Sequence, residues 1–254
     1  MQIGLIGAGN MARALARGWN RPVLVADPVT ERAQALTKEV GGEVLATNGE
    51  VAQRADLVVL CHKPAQLADV AQEVAPHAKA VASILAATSL SALHDAYPDR
   101  PVYRFIPSLP VEVRQGAVVQ AAPDDRYALD APVAELFAEL GTLVVLSDAL
   151  VDVAMGLMSC APAYVALVAE AQIDAGVRRG IPAAQSAELV VQTLAGTAEL
   201  LRRRGNDTLA VRREVASPGG VTARGLAALE RAGLRAAFSD ALDAVLEPTH
   251  TRPR

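Results

Sequence analysis

The stretch QIGLIGAGNMARALARG at the N-terminus constrains what this chain folds into more than any other. An apolar run that reads as a strand enters Gly7-Ala8-Gly9-Asn10-Met11-Ala12, and an amphipathic helical pattern leaves it. Gly7 permits the tight turn, and Gly9 lets the backbone approach a pyrophosphate. Ala12 lets the helix lie close to the strand, and the helix N-terminus faces the phosphate charge. A glycine pattern alone fits many turns. With a strand before it and a helix behind it, the pattern predicts dinucleotide binding.

The sequence that follows sustains this reading. Apolar runs QIGLIGA, PVLVAD, LVVLC, AVASILA, VYRFIP, AVVQAA and TLVVLS are bounded by Gly, Pro, Asp or Asn, and most precede an amphipathic segment. Such alternation predicts a Rossmann-type, doubly wound parallel sheet over residues 1–148, with helices on both faces. From Asp148 onward strand signals vanish. Residues 162–180 and 182–204 carry long Ala/Leu/Val patterns, with Pro182 near a helix start and Gly180 and Gly205 at helix ends, which predicts an all-α segment over 149–254. Its apolar residues exceed what one small bundle needs, which points to a subunit interface. The run Arg202-Arg203-Arg204 closes a helix, where cations oppose the dipole.

Charge and composition exclude several function classes. Twenty-eight acidic residues oppose 24 basic ones for a formal charge of −4, no basic block stands out, and one Trp and three Phe offer no stacking platform for bases. Nucleic acid is not expected. Neither is a membrane: no run reaches the roughly 20 uninterrupted apolar residues of a span, and MQIGLIGAGN enters a strand without a basic leader, so the expected location is cytoplasmic. Cys61 and Cys160 read as reduced core residues. His62, His77, His94 and His250 have no metal-ligand spacing, and no metal is expected. His62 ends a strand on the edge where such sheets bind ligands, but reads as a solvated loop histidine.

Two positions carry open alternatives. Asp27 closes the second strand, where a carboxylate accepts from the ribose 2′-hydroxyl of NADH and repels the 2′-phosphate of NADPH. This leans towards NADH, while Thr30 and Arg32 stand ready to cradle a phosphate, and Asp27 also reads as a helix N-cap in ADPVTER with Pro28 in the first turn. In EVASPGGVTARGLAALE a Ser-Pro-Gly-Gly break interrupts helical sequence. Thr222 reads there either as the N-cap of ARGLAALE or as a hydroxyl placed for chemistry, with the amides of Gly220 and Val221 at a helix N-terminus suited to a carboxylate.

GAGNMA, VLCHKPAQ, APAYVALVAEAQIDAGVRRGIP, QTLAG and VASPGGVTARGLAALERAGLRAAF, in this order along essentially the whole chain, resemble the landmarks of the pyrroline-5-carboxylate reductase family. The resemblance implies NAD(P)H-dependent hydride transfer to the C=N carbon of a five-membered cyclic imine, giving proline. It also implies homodimers, paired through the helical segment and often assembled further. Carried onto this chain, it makes Gly7, Gly9, Asn10 and Met11 pyrophosphate contacts and sets Lys63 and Pro64 beside the nicotinamide. It brings Ser108 to the cofactor and lines the imine pocket with Ser217, Gly219, Gly220, Val221 and Thr222. Thr222 is the expected catalytic hydroxyl, donating to the imine nitrogen. Two segments depart from the family pattern. Ile106-Pro107-Ser108-Leu109-Pro110 stands where the family has Met-Pro-Asn-Thr-Pro, and Ser159-Cys160-Ala161 stands where it has Gly-Ser-Gly. They keep open a related imine or keto-acid reductase with an altered pocket, and a non-catalytic dinucleotide-binding regulatory protein.

Overall fold

The computed structural model describes residues 1–123 and 131–247; the expectation about His250 lies outside them. Two compact units divide the chain, Met1–Pro162 and Ala163–Arg254.

The first unit is built on one sheet of β1 (Ile3–Ile6), β2 (Val23–Ala26), β3 (Gly42–Val44), β4 (Leu57–Leu60), β5 (Val81–Ser83), β6 (Val102–Pro107), β7 (Gly116–Ala121) and β8 (Gly141–Leu146). Its order is β3-β2-β1-β4-β5-β6-β7-β8. All seven expected runs are strands, and β3 is an addition at the edge. The parallel expectation holds from β3 through β6 and needs correction beyond it, since β7 runs antiparallel to β6 and β8 runs parallel to β7. A parallel return needs a crossover of about a dozen residues or more, and residues 108–115 supply only a tight 3-10 turn over Leu109–Val113.

β1 lies between β2 and β4, with Ile3 opposite both Val23 and Leu57, and all four of its residues are buried. Helices α1 (Asn10–Trp19), α2 (Thr30–Val40), α3 (Asn48–Arg54), α4 (Leu67–Val74), α5 (Leu90–Ala96) and α6 (Ala131–Ala138) complete the alternation. Separate apolar cores gather Leu5, Leu15, Trp19, Phe105 and Phe137 on one side, and Ile6, Val58, Leu60 and Tyr97 on the other. In the first core Phe105 stacks on Phe137 at 3.8 Å, Trp19 meets the same ring edge-on, and the indole N–H donates to the Leu136 carbonyl.

Helix α7 (Asp148–Met158) packs Val151 and Ala154 against Ile106, Val119 and Ala121. Arg104 on β6, 1% exposed, reaches Asp148 at 2.7 Å and Asp152 at 2.6 Å, two carboxylates one helical turn apart. The expected boundary at 148/149 falls at the start of this helix, which packs within the first unit.

The second unit takes in most of α8 (Ala161–Val177), with α9 (Ala183–Arg203), α10 (Thr208–Val215), α11 (Val221–Arg231) and α12 (Leu234–Leu246). Strands are absent from its described residues, as expected from the loss of strand signals. It leaves large apolar side chains open, including Leu167 at 64%, Leu189 at 60% and Phe238 at 48%. Asp148–Val177 is, among the described residues, long and apolar enough by composition to cross a membrane, but its first helix carries the buried contacts just described.

Candidate active site

The turn between β1 and α1 has the geometry its glycines allow. Gly7 sits at φ +102° and donates its N–H to the Ala26 carbonyl at 2.8 Å. A Cβ there would lie 3.0 Å from the Cys61 carbonyl oxygen, so both conformation and space require glycine. Gly9 begins α1 in extended backbone without a capping side chain, and a Cβ on it would meet nothing within 4 Å. The amides of Asn10 and Met11 open α1 beside this space, with the positive end of the helix dipole behind them, while Ala12 is buried. Such an opening favours an anion.

Asp27 matches neither sequence alternative in full. One carboxylate oxygen accepts from the Ala8 N–H at 2.7 Å and the other from the Val29 N–H at 2.8 Å, so the side chain clamps the glycine turn. The N-cap of α2 is Val29, which supplies no side-chain bond. Lone pairs remain on both oxygens. Asp27 stays on the wall of a cleft of about 480 Å³ lined by Gly7, Gly9, Arg32, Asn48 and His62.

A second cavity of about 280 Å³ lies against Met11, Pro64, Ile106, Met155 and Ser159. Cys61, His62 and Lys63 line both spaces, so the end of β4 is their common wall. Here the loop is held by reciprocal bonds, with the Lys63 N–H donating to Gln66 Oε1 at 3.1 Å and the Gln66 N–H to the Lys63 carbonyl at 2.9 Å. Burial pushes the Cys61 thiol far above its ordinary range, which leaves it inert at neutral pH. His62 is half-buried, a correction to the solvated reading, and Nδ1 lies 2.9 Å from the Lys63 carbonyl.

The two departing segments touch, but their serines do different work. Ser108 is buried and lines neither space; its hydroxyl donates to the Ala117 carbonyl at 3.0 Å and accepts from the Ala117 N–H at 2.9 Å. It closes the turn between β6 and β7 and is not available to a cofactor. Ser159 reaches the second cavity and donates to the Pro107 carbonyl at 3.0 Å. Asn48 and Met155 are wall residues that sequence reasoning missed. Thr47-Asn48-Gly49-Glu50 does carry a capping signal, with the Thr47 hydroxyl accepting from the Glu50 N–H, and that cap is what brings Asn48 to the start of α3.

Ser217, Gly219, Gly220, Val221 and Thr222 lie together in the second unit, at the turn from α10 into α11. Gly219 takes φ +69°, and the Gly220 N–H donates to the Ser217 carbonyl at 3.0 Å. A Cβ on Gly220 would collide with the Ser217 hydroxyl. Gly220 is the N-cap of α11, so Thr222 lies one turn-residue inside the helix, and the reading of Thr222 as the cap gives way. No side chain caps α11, which leaves its first amides open. The half-exposed Thr222 hydroxyl has no partner among the described residues.

Residues 148–251 match the family model described as pyrroline-5-carboxylate reductase dimerisation, and residues 2–87 match one described as NADP oxidoreductase coenzyme F420-dependent. The chain is 37% identical to the pyrroline-5-carboxylate reductase of Thermus thermophilus across 98% of both chains. Among solved structures it resembles the Streptococcus pyogenes 1-pyrroline-5-carboxylate reductase, at 28% identity and TM-score 0.87 over 96% of each chain. It also resembles the Plasmodium falciparum pyrroline carboxylate reductase with NADP bound, at 25% identity and TM-score 0.85 over 96% of this chain and 95% of that one.

Proposed function

The chain belongs to the pyrroline-5-carboxylate reductase family, and from that premise we propose how its residues divide the NAD(P)H-dependent reduction of 1-pyrroline-5-carboxylate to proline. A bound nicotinamide cofactor supplies the hydride. Everything else falls to binding and to hydrogen bonds.

Gly7, Gly9, Asn10 and Met11 hold the pyrophosphate through backbone amides, while Lys63 and Pro64 border the nicotinamide end. The observation that carries this assignment is the uncapped N-terminus of α1 behind Gly9, where a Cβ would meet only open space. Asp27 disfavours a 2′-phosphate by charge and Arg32 on the same wall offsets it, so both cofactors are accepted with NADH preferred. Ser108 has no part in cofactor binding.

The turn Ser217–Thr222 binds the imine. Its carboxylate is anchored by the amides of Gly220 and Val221 at the start of α11, and the Thr222 hydroxyl donates to the ring nitrogen, holding the polarity that directs hydride to carbon. Residues 1–148 act as the dinucleotide half and 149–254 as the pairing and substrate half. The latter carries the dimerisation match and the exposed Leu167, Leu189 and Phe238, which favours a homodimer that assembles further. Two free thiols and the modest negative charge fit a cytoplasmic enzyme with no nucleic-acid or membrane partner. Oxidation of NADH and NADPH driven by 1-pyrroline-5-carboxylate is the experiment that tests this reading.

A further inference from the structure

Helix α11 carries a glycine that the fold of this chain does not explain. Gly225 lies inside Val221–Arg231, is exposed, and a Cβ on it would meet nothing within 4 Å among the described residues. An interior glycine weakens a helix relative to alanine, because it loses the most backbone freedom on folding and adds no contact. Neither of the usual reasons for keeping one applies here. Gly225 does not take a positive φ, and nothing in this chain crowds it. Gly220, five residues earlier, is different, since the Ser217 hydroxyl stands where its Cβ would go.

Its place on the helix supplies a reason. Gly225 follows Val221 by four residues and Thr222 by three, so the three positions share one face. A helical Cα–Cβ bond tilts towards the N-terminus, and a side chain covers the turn that precedes its own residue. Any side chain at position 225 leans back over Val221 and Thr222. With glycine there the turn stays open, Val221 being 74% exposed and Thr222 half-exposed.

We infer that Gly225 is a specificity-determining residue of the imine site: lacking a side chain, it leaves the face of α11 below Thr222 clear for the ring carbons of the cyclic imine. The inference rests on the reading of Thr222 as the hydroxyl that meets the ring nitrogen.

Alanine and leucine are both strong helix formers, so Gly225→Ala and Gly225→Leu grade the crowding without breaking the helix. Four quantities are read on the full-length protein: steady-state kinetics with 1-pyrroline-5-carboxylate, dinucleotide Kd by fluorescence, Tm by calorimetry, and mass in solution by light scattering. The expected result is kcat/KM lowered about tenfold or more in Gly225→Leu, and by a smaller factor carried by KM in Gly225→Ala. Dinucleotide Kd and mass stay unchanged in both, and Tm equals or exceeds wild type. Wild-type kcat/KM in Gly225→Leu overturns the inference. So does a loss that comes with a lower Tm or an altered mass, which makes Gly225 a packing contact between subunits, and so does a loss shared by dinucleotide Kd. Failure of the underlying reading is seen separately, as equal kcat in Thr222→Val and wild type, and takes the inference with it.

Discussion

Gly7 and Gly9 are two residues apart in one turn, yet alanine at each should fail in opposite ways. At Gly7 the backbone lies at φ +102°, where a side chain costs about 1–3 kcal/mol. The new Cβ also sits 3.0 Å from the Cys61 carbonyl oxygen, on backbone that is itself bonded to Ile6, so little relief is available. A total near 2–3 kcal/mol corresponds to a fall in Tm of roughly 5–10 °C for a unit of this size. Gly9→Ala meets nothing within 4 Å and has φ −72°, so folding is unaffected or gains a few tenths of a kcal/mol from the stiffer unfolded chain. Its methyl group instead occupies the approach to the first-turn amides of α1. Displacing a phosphate from two charge-assisted bonds of about 1.5 kcal/mol or more each predicts at least a tenfold rise in the dinucleotide Kd. Differential scanning calorimetry and fluorescence titration on both variants make the test. Gly9→Ala with wild-type Tm and wild-type Kd would refute the claim that the open space at Gly9 receives the pyrophosphate.

Other positions give equally direct tests. Arg104→Met should lower stability by about 2–3 kcal/mol, below the usual cost of breaking a buried pair because Asp148 and Asp152 keep 29% and 40% of their side-chain surface in water. Chemical denaturation reads this, and an unchanged midpoint would show that the pair does not fasten α7. Thr222→Val, which keeps shape and removes the hydroxyl, should lower kcat about tenfold or more while Thr222→Ser stays near wild type and the dinucleotide Kd is unchanged. Equal rates in the valine and serine variants would remove the hydroxyl from the chemistry.

Much of the first unit was legible because backbone constraints are written directly in residue type. Gly7 takes a positive φ, Gly9 must leave space, and the strand before them is apolar throughout. Strand β3 was missed because Gly42-Glu43-Val44 is a short, largely exposed edge with no alternation to read. The reversal at β7 was missed for a different reason. Apolar runs encode a strand without its direction, and the short link 108–115 was the available signal. Ser108 shows where local reading ends, since its side-chain direction depends on pairing with Ala117, a residue that motif position does not reveal. Asp27 was read as a ribose contact or a helix N-cap; its amide partners at Ala8 and Val29 depend on how two loops meet, which residue type does not reveal. Thr222 turned on a shift at a helix start, the feature that sequence locates least well. In the second unit the helices were legible from periodicity, and the apolar residues left open on them match the excess noted in the sequence.

The central claim is that this chain passes hydride from a nicotinamide to the imine carbon of 1-pyrroline-5-carboxylate. Steady-state oxidation of NADH and of NADPH, followed at saturating imine with proline quantified as the product, tests it most directly. The account predicts turnover dependent on the imine, one proline formed for each cofactor oxidised, and a higher kcat/KM with NADH. Absence of imine-dependent oxidation with both cofactors, in a protein that binds them, would contradict it.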